Sequence, residues 1–292
     1  MPHPHHAALG SSGSVFITLI LVFTALVYLR GWLSLRSSIA NVTSAWRACS
    51  FLVGVFLIWV AVASPIAALD HELLTIHMLQ HLLLMTLAPP LIWLADPVRS
   101  VIYGLPQRSV RTLIRVLQRP SLQNLGRVFA RPEFCWIAAC AALIGWHVPA
   151  LFTVGMQSSW HLVEHASFLA TGLLFWWPAV RPWPSAFRPD LSIILYLFLA
   201  TLPCDILSGF LVFSDRVVYP IYFSSSHLFG FSVLGDQQCA AALMWTCVTV
   251  VYFVAGAVLT MRLLSPQPTH DAEFAAKLRT VPHIPEAYQH GD

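Results

Sequence analysis

The chain has 292 residues, of which 57% are hydrophobic and only 10% charged, well short of the ~25% charge of globular proteins, and its mean hydropathy of +0.70 excludes a soluble fold. The net charge is +3, from 16 basic and 13 acidic residues with 13 His, and no basic block is dense enough to indicate a nucleic-acid partner. The six Cys lie mostly inside apolar runs without a Cys-x-x-Cys, which argues against a disulfide framework or a zinc ribbon.

A hydrocarbon core ~30 Å thick takes about 20 apolar residues per helix, and seven runs meet that need. Residues 1–14, with His3, His5 and His6, predict a periplasmic N-terminal tail. They lack the positive charge of a signal peptide, so the first run, Val15–Trp32, reads as a retained span. Phe51–Leu69, Leu73–Leu94, Phe134–Phe152, Trp160–Val180, Leu191–Val212 and Cys239–Leu263 follow. The predicted fold is an all-α integral membrane protein, a seven-transmembrane-helix bundle over residues 15–263. Residues 264–292, with spaced Pro and mixed charge, predict a disordered cytoplasmic tail. No Gly-rich phosphate loop, heptad run or Ser nucleophile elbow is present.

Alternating the spans across the bilayer sorts the basic residues. Arg30, Arg36 and Arg47 fall between spans one and two; Arg99, Arg108, Arg111, Arg115, Arg119, Arg127 and Arg131 between three and four; Arg181 and Arg188 between five and six; Arg262, Lys277 and Arg279 after seven. Only Arg216 lies on the other side. The positive-inside rule then places the N-terminus outside and the C-terminus in the cytoplasm.

Depth follows from the 1.5 Å rise per residue. On the third span His77 lies ~6 Å and His81 ~12 Å below the outer surface, on one helical face, with Met78 and Met85 nearby. The fourth span reaches Trp146, His147 and Pro149 close to its outer end. The fifth opens with His161, Glu164 and His165; the sixth carries Cys204 and Asp205 behind Pro203; the seventh follows Asp236 and Gln237 and leads to Met244. Every intramembrane His and carboxylate among them falls in the outer half, on five helices. Ionisable residues are costly in lipid and face a bundle interior, so they predict one polar cavity open to the outside.

Within it, His77, His81, His147, His161 and His165 supply imidazole, while Met78, Met85 and Met244 supply soft sulfur. That set favours copper over magnesium or calcium, although zinc accepts the same nitrogens. The deeper His81, His147 and His165 predict an inner ligand set, with His77 and His161 as outer ligands. Glu164, Asp205, Asp236 and Gln237 predict groups that orient ligands or carry protons. Cys135, Cys140 and Cys247 read as packing residues, and packing ranks first for Cys204 and Cys239. Each His and Met also has a plain packing role open to it. Two other functions fit the same residues: a zinc-dependent membrane hydrolase with Glu164 or Asp205 as general base, and a haem protein with axial imidazoles such as His81 and His165. The hydrolase leaves the Met residues without a role.

Four motifs, taken together, carry a resemblance. They are His77-Met78-Leu79-Gln80-His81-Leu82-Leu83-Leu84 followed by Ala88-Pro89-Pro90-Leu91; Trp146-His147-Val148-Pro149-Ala150-Leu151-Phe152; His161-Leu162-Val163-Glu164-His165 with Phe168; and Asp236-Gln237-Gln238 leading to Met244-Trp245. In order and spacing they resemble the multi-span CtaG family of cytochrome c oxidase assembly factors, over spans two to seven. The resemblance implies a non-enzymatic protein of the bacterial inner (cytoplasmic) membrane, a metal chaperone that supplies copper at the outer face. Its implied partners are a haem-copper oxidase subunit during assembly and a periplasmic copper donor.

Overall fold

The computed structural model describes residues 4–38, 44–180, 190–224, 230 and 232–265, and no strand occurs among them. Its helices are α1 (Pro4–Ser38), α2 (Ala45–Ala63), α3 (Leu74–Leu82), α4 (Ala88–Leu94), α5 (Pro97–Gly104), α6 (Gln107–Leu117), α7 (Pro120–Phe129), α8 (Pro132–His147), α9 (Pro149–Gly155), α10 (Ser158–Val180), α11 (Leu191–Val212) and α12 (Val233–Leu264). A π-helical turn, Leu83–Leu87, joins α3 to α4, and 3-10 turns occupy Ala67–Leu69 and Pro220–Ser224.

Among the described residues five helices are long and apolar enough to cross a membrane, Gly13–Arg36, Ala45–Ala63, Leu74–Leu94, Leu191–Val212 and Val233–Leu264, and α7 with α8, bent by 68° at their junction, makes a sixth if the pair is one span. The expected fourth and fifth spans fall short for physical reasons. Pro149 biases the preceding residue away from helix, and Val148 is extended (φ −65°, ψ 125°), so α8 stops at His147 after 16 residues. The 23 residues of α10 include His161, Glu164 and His165, which lower its hydropathy.

Other boundaries move as well. Helix α1 begins at Pro4, so the described part of the expected N-terminal tail is helical, and α12 begins at Val233, which brings Asp236 and Gln237 into its first turns. The Arg-rich connection between the third and fourth runs folds into α5, α6 and α7. Arg181, Arg188, Lys277, Arg279 and most of the expected C-terminal tail lie outside the described residues.

Helix α3 and its π turn sit at the centre of the bundle, packed by α2, α10 and α12, with α4 continuing between α2 and α10. The π turn has a local cause. Pro89 and Pro90 lack N–H groups, and a proline ring at 89 would strike the Met85 carbonyl in a regular helix. The wider turn frees that carbonyl, which accepts from Trp176 Nε1 on α10 at 3.2 Å. Gly172 permits the approach, since a Cβ there would lie 2.7 Å from Met85 Cα.

The start of α3 is fixed from α12. Asp236 accepts from the backbone N–H of Leu74 (2.6 Å) and Thr75 (3.2 Å) and from the Thr75 hydroxyl (2.6 Å), satisfying donors that a helix N-terminus leaves open. At the opposite end α1 is tied to the bundle by Tyr28, which stacks on Phe51 at 3.8 Å and donates to Ala95 O at 3.1 Å. Gly31 and Gly104 let α1 and α5 cross in direct backbone contact, because a Cβ at either would lie 1.7 or 2.0 Å from the other helix's carbonyls. The outward face of α1 exposes Phe16, Leu19, Phe23 and Leu26, as a lipid-facing helix would.

Candidate metal centre

His77 and His81, one turn apart on α3, point at Glu164 on α10. Their Nε2 atoms lie 3.6 and 3.4 Å from Glu164 Oε1, and one ligand atom from each residue falls within 4.8 Å of the others. All three are buried. None of the four ring nitrogens or two carboxylate oxygens has a hydrogen bond of acceptable geometry among the described residues. Buried polar groups are ordinarily satisfied, and an orphaned carboxylate is costly; a cation bound between them would resolve both. Gly155, at the end of α9, makes the room, since a Cβ there would lie 2.8 Å from Glu164 Oε2.

His147 supplies the next edge. Its Nδ1 lies 2.6 Å from Leu143 O, and a carbonyl only accepts, so in the neutral ring Nδ1 carries the proton and Nε2 a lone pair. That lone pair faces Met78 Sδ at 3.2 Å. Two electron-pair donors opposed in this way repel each other unless a soft cation lies between or beside them. The His147 backbone is held in turn, its carbonyl accepting from the Tyr219 hydroxyl at 3.0 Å.

Inward of these rings a cavity of about 40 Å³ is lined by Met78, Met85, Met244, His81 and His147 together with Cys140 and Cys204. Met78, Met85 and Met244 therefore line one cavity with His81 and His147, and two thiols join them. A cavity of that size has room for at least one water. The His81 and His165 rings lie 6.1 Å apart, centre to centre. Cys204 and Cys239 form no disulfide: both are free, the first buried and the second exposed.

The structure groups these residues differently from their depth. His77, expected as an outer ligand, lies against Glu164 together with His81, and Glu164 presents an oxygen to both rings. His165 is occupied elsewhere. Gln80 donates through Nε2 to Ala67 O (3.1 Å) and Asp70 Oδ2 (3.3 Å), which turns its Oε1 to His165 Nε2 at 3.2 Å and requires the proton there. His161 lies nearer the mouth, 3.2 Å from Asp70 Oδ2. Asp236 and Gln237 are not at the centre. Asp236 caps α3, and Gln237 accepts from Val218 N (2.7 Å) and donates to Leu211 O (3.4 Å) and Arg216 O (3.2 Å), pinning the turn after α11. Asp205 is half-buried on α11 with Oδ1 lacking a hydrogen-bond partner, outside the His–Glu cluster.

Asp70, His71, Gln80 and Gly155 take part without having been expected. Asp70 and His71 fall in the turn between the second and third apolar runs, where a search confined to spans passes over them. The Tyr222 hydroxyl donates to Asp70 O at 2.9 Å, and burial pushes this phenol well above its ordinary range, keeping it a donor.

The model of a family described as cytochrome c oxidase caa3 assembly factor (Caa3_CtaG) matches residues 26–265, a range that holds every group above. No curated protein and no solved structure gives a significant match.

Proposed function

The chain belongs to the family of cytochrome c oxidase caa3 assembly factors, and from that premise we propose that it binds copper as cargo and delivers it to a haem-copper oxidase subunit during assembly. The observation that carries the copper reading is the buried His77–His81–Glu164 cluster, whose ligand atoms lie within 4.8 Å of one another without hydrogen-bond partners. The sulfur edge, Met78 beside His147 with Met85 and Met244 beyond, favours copper over zinc. With Glu164 among the ligands, no carboxylate of the cluster is left to act as general base beside a metal-bound water, which favours a non-enzymatic factor over a hydrolase.

In this reading α8 and α10 also cross the bilayer, giving seven spans with the N-terminus outside, the C-terminus cytoplasmic and the centre facing the periplasm of the inner membrane. A periplasmic donor loads the site from the mouth. Release is lateral: an apolar groove of about 630 Å³ between α8 and α11, lined by Trp136, Ile144, Leu202, Ile206 and Phe210, shares His147 with the inner cavity.

Deletion of the gene tests the function. Assembled haem-copper oxidase activity should fall while copper-free quinol oxidation is kept, with partial restoration by added copper. Normal oxidase activity in the deletion strain, with the oxidase expressed, rejects the assembly role.

A further inference from the structure

A second group of ligand atoms lies at the mouth of the bundle, outside the His77–His81–Glu164 centre. Asp70 Oδ2 is 3.2 Å from His161 Nε2, and Asp70 Oδ1 is 3.8 Å from His71 Nε2. One ligand atom from each of the three lies within 4.8 Å of the others. We infer that Asp70, His71 and His161 form a receiving site for a divalent transition-metal ion, from which metal passes inward to the buried centre.

The three residues come from two places in the chain, the turn before α3 and the first turn of α10. The carboxylate is held in place by its neighbours: the Tyr222 hydroxyl bonds its backbone carbonyl, and Gln80 Nε2 reaches Oδ2 at 3.3 Å. Asp70 is buried, yet its ion-pair partners among the described residues are His71 and His161 alone. His161 Nε2 is buried and, despite its approach to Asp70, lacks a hydrogen bond of acceptable geometry. His71 is exposed, with 54% of its side chain accessible. The set is therefore a half-built cage, anchored on its inner side and open to water on the outer, as an ion-receiving site requires.

Donor type changes along the path. The mouth offers one carboxylate and two imidazoles, a set for Cu(II) or Zn(II), whereas the inner centre adds thioether sulfur suited to Cu(I), so Cu(II) received at the mouth passes inward only on taking one electron from an external reductant, a thiol or a quinol. The His161 ring lies 5.9 Å from the His77 ring and nearly parallel to it, at 14°, so the two groups adjoin without sharing a ligand.

The inference that metal binds at the mouth stands on this geometry; passage inward rests on the copper reading above. The test uses the full chain in lipid nanodiscs, carrying no polyhistidine tag and with His3→Ala, His5→Ala and His6→Ala to remove competing imidazoles. Cu(II) is titrated and followed by electron paramagnetic resonance, and Cu(I) is titrated against a chromogenic chelator. His71→Ala, at an exposed position, should weaken Cu(II) binding at least as much as the ~10–100-fold produced by loss of an orienting group, with Cu(I) stoichiometry unchanged. Asp70→Asn should do the same while keeping an amide beside Gln80. His77→Ala with His81→Ala should abolish Cu(I) retention and spare the Cu(II) signal. Wild-type Cu(II) affinity in both His71→Ala and Asp70→Asn overturns the mouth site. Cu(II) bound at the mouth with no Cu(I) taken up by the wild type supports the mouth site and instead overturns the inner copper centre.

Discussion

The Leu143 carbonyl, by accepting a hydrogen bond from the Nδ1–H of His147, decides what the other ring nitrogen presents to Met78. Met78→Leu isolates the sulfur: the volume is nearly kept, a swap that usually costs less than about 1.5 kcal/mol. Thermal unfolding should hardly move while Cu(I) affinity, read by chelator competition, falls about tenfold or more. Unchanged affinity would make the 3.2 Å approach a packing contact. Gly155→Ala examines the same centre from the carboxylate side, since its Cβ would lie 2.8 Å from Glu164 Oε2 and force that group to shift. Copper affinity should drop although every ligand is retained. Asp236 gives the opposite signature. Asp236→Ala strips the cap from α3 and should cost about 1–2 kcal/mol of stability, seen as a lower Tm in detergent, with copper stoichiometry kept in the folded fraction. Copper loss at an unchanged Tm would instead return Asp236 to the metal centre.

At the scale of elements, the π turn decides how α3 meets α10. It begins two residues after His81, and the carbonyl it releases is caught by Trp176. Trp176→Phe leaves the Met85 carbonyl buried without its donor, which should cost about 1–3 kcal/mol. Because α10 also carries Glu164, the same change should weaken copper binding from a residue outside the ligand set, as should Gly172→Ala, whose Cβ would meet Met85 Cα at 2.7 Å. Wild-type copper affinity in both variants would show that the centre is positioned independently of this contact. The Pro89-Pro90 pair is visible in the sequence, but a single widened turn inside an unbroken apolar run leaves no mark in hydropathy. Pro149 was equally visible, yet run length carried the fourth span past it to Phe152. The His, Glu and Met residues that the bundle gathers were legible because ionisable and sulfur groups stand out in lipid-facing sequence. The backbone duties of Asp236 and Gln237 were not, because their partners, Leu74, Thr75, Val218, Leu211 and Arg216, lie in other elements and are matched through main-chain atoms that carry no residue identity.

On the scale of the whole molecule the two ends of the bundle differ in chemistry. The turns between α2 and α3, α9 and α10, and α11 and α12 gather the carboxylates and imidazoles around Asp70, His161 and Asp236. The other end carries Arg47 and Arg99, both paired with Asp96 at 3.7 and 3.8 Å, followed by the Arg-bearing helices α6 and α7. Asp96 adopts a left-handed conformation there (φ 53°), turning the chain from α4 into α5. Since cationic loops stay in the cytoplasm, this polarity predicts the orientation of the metal centre as well as that of the helices. Single cysteines at exposed positions test it in a background with Cys49 and Cys239, the two exposed native thiols, changed to Ser. A membrane-impermeant maleimide applied to intact spheroplasts should label Asp215→Cys, while Arg119→Cys should react only after permeabilisation. The reverse pattern would turn Asp70 and His161 toward the cytoplasm, and copper would then have to be loaded from the cytosolic pool, not by a periplasmic donor. The inner centre and the mouth site share one end of the bundle, so a single inversion would reassign both.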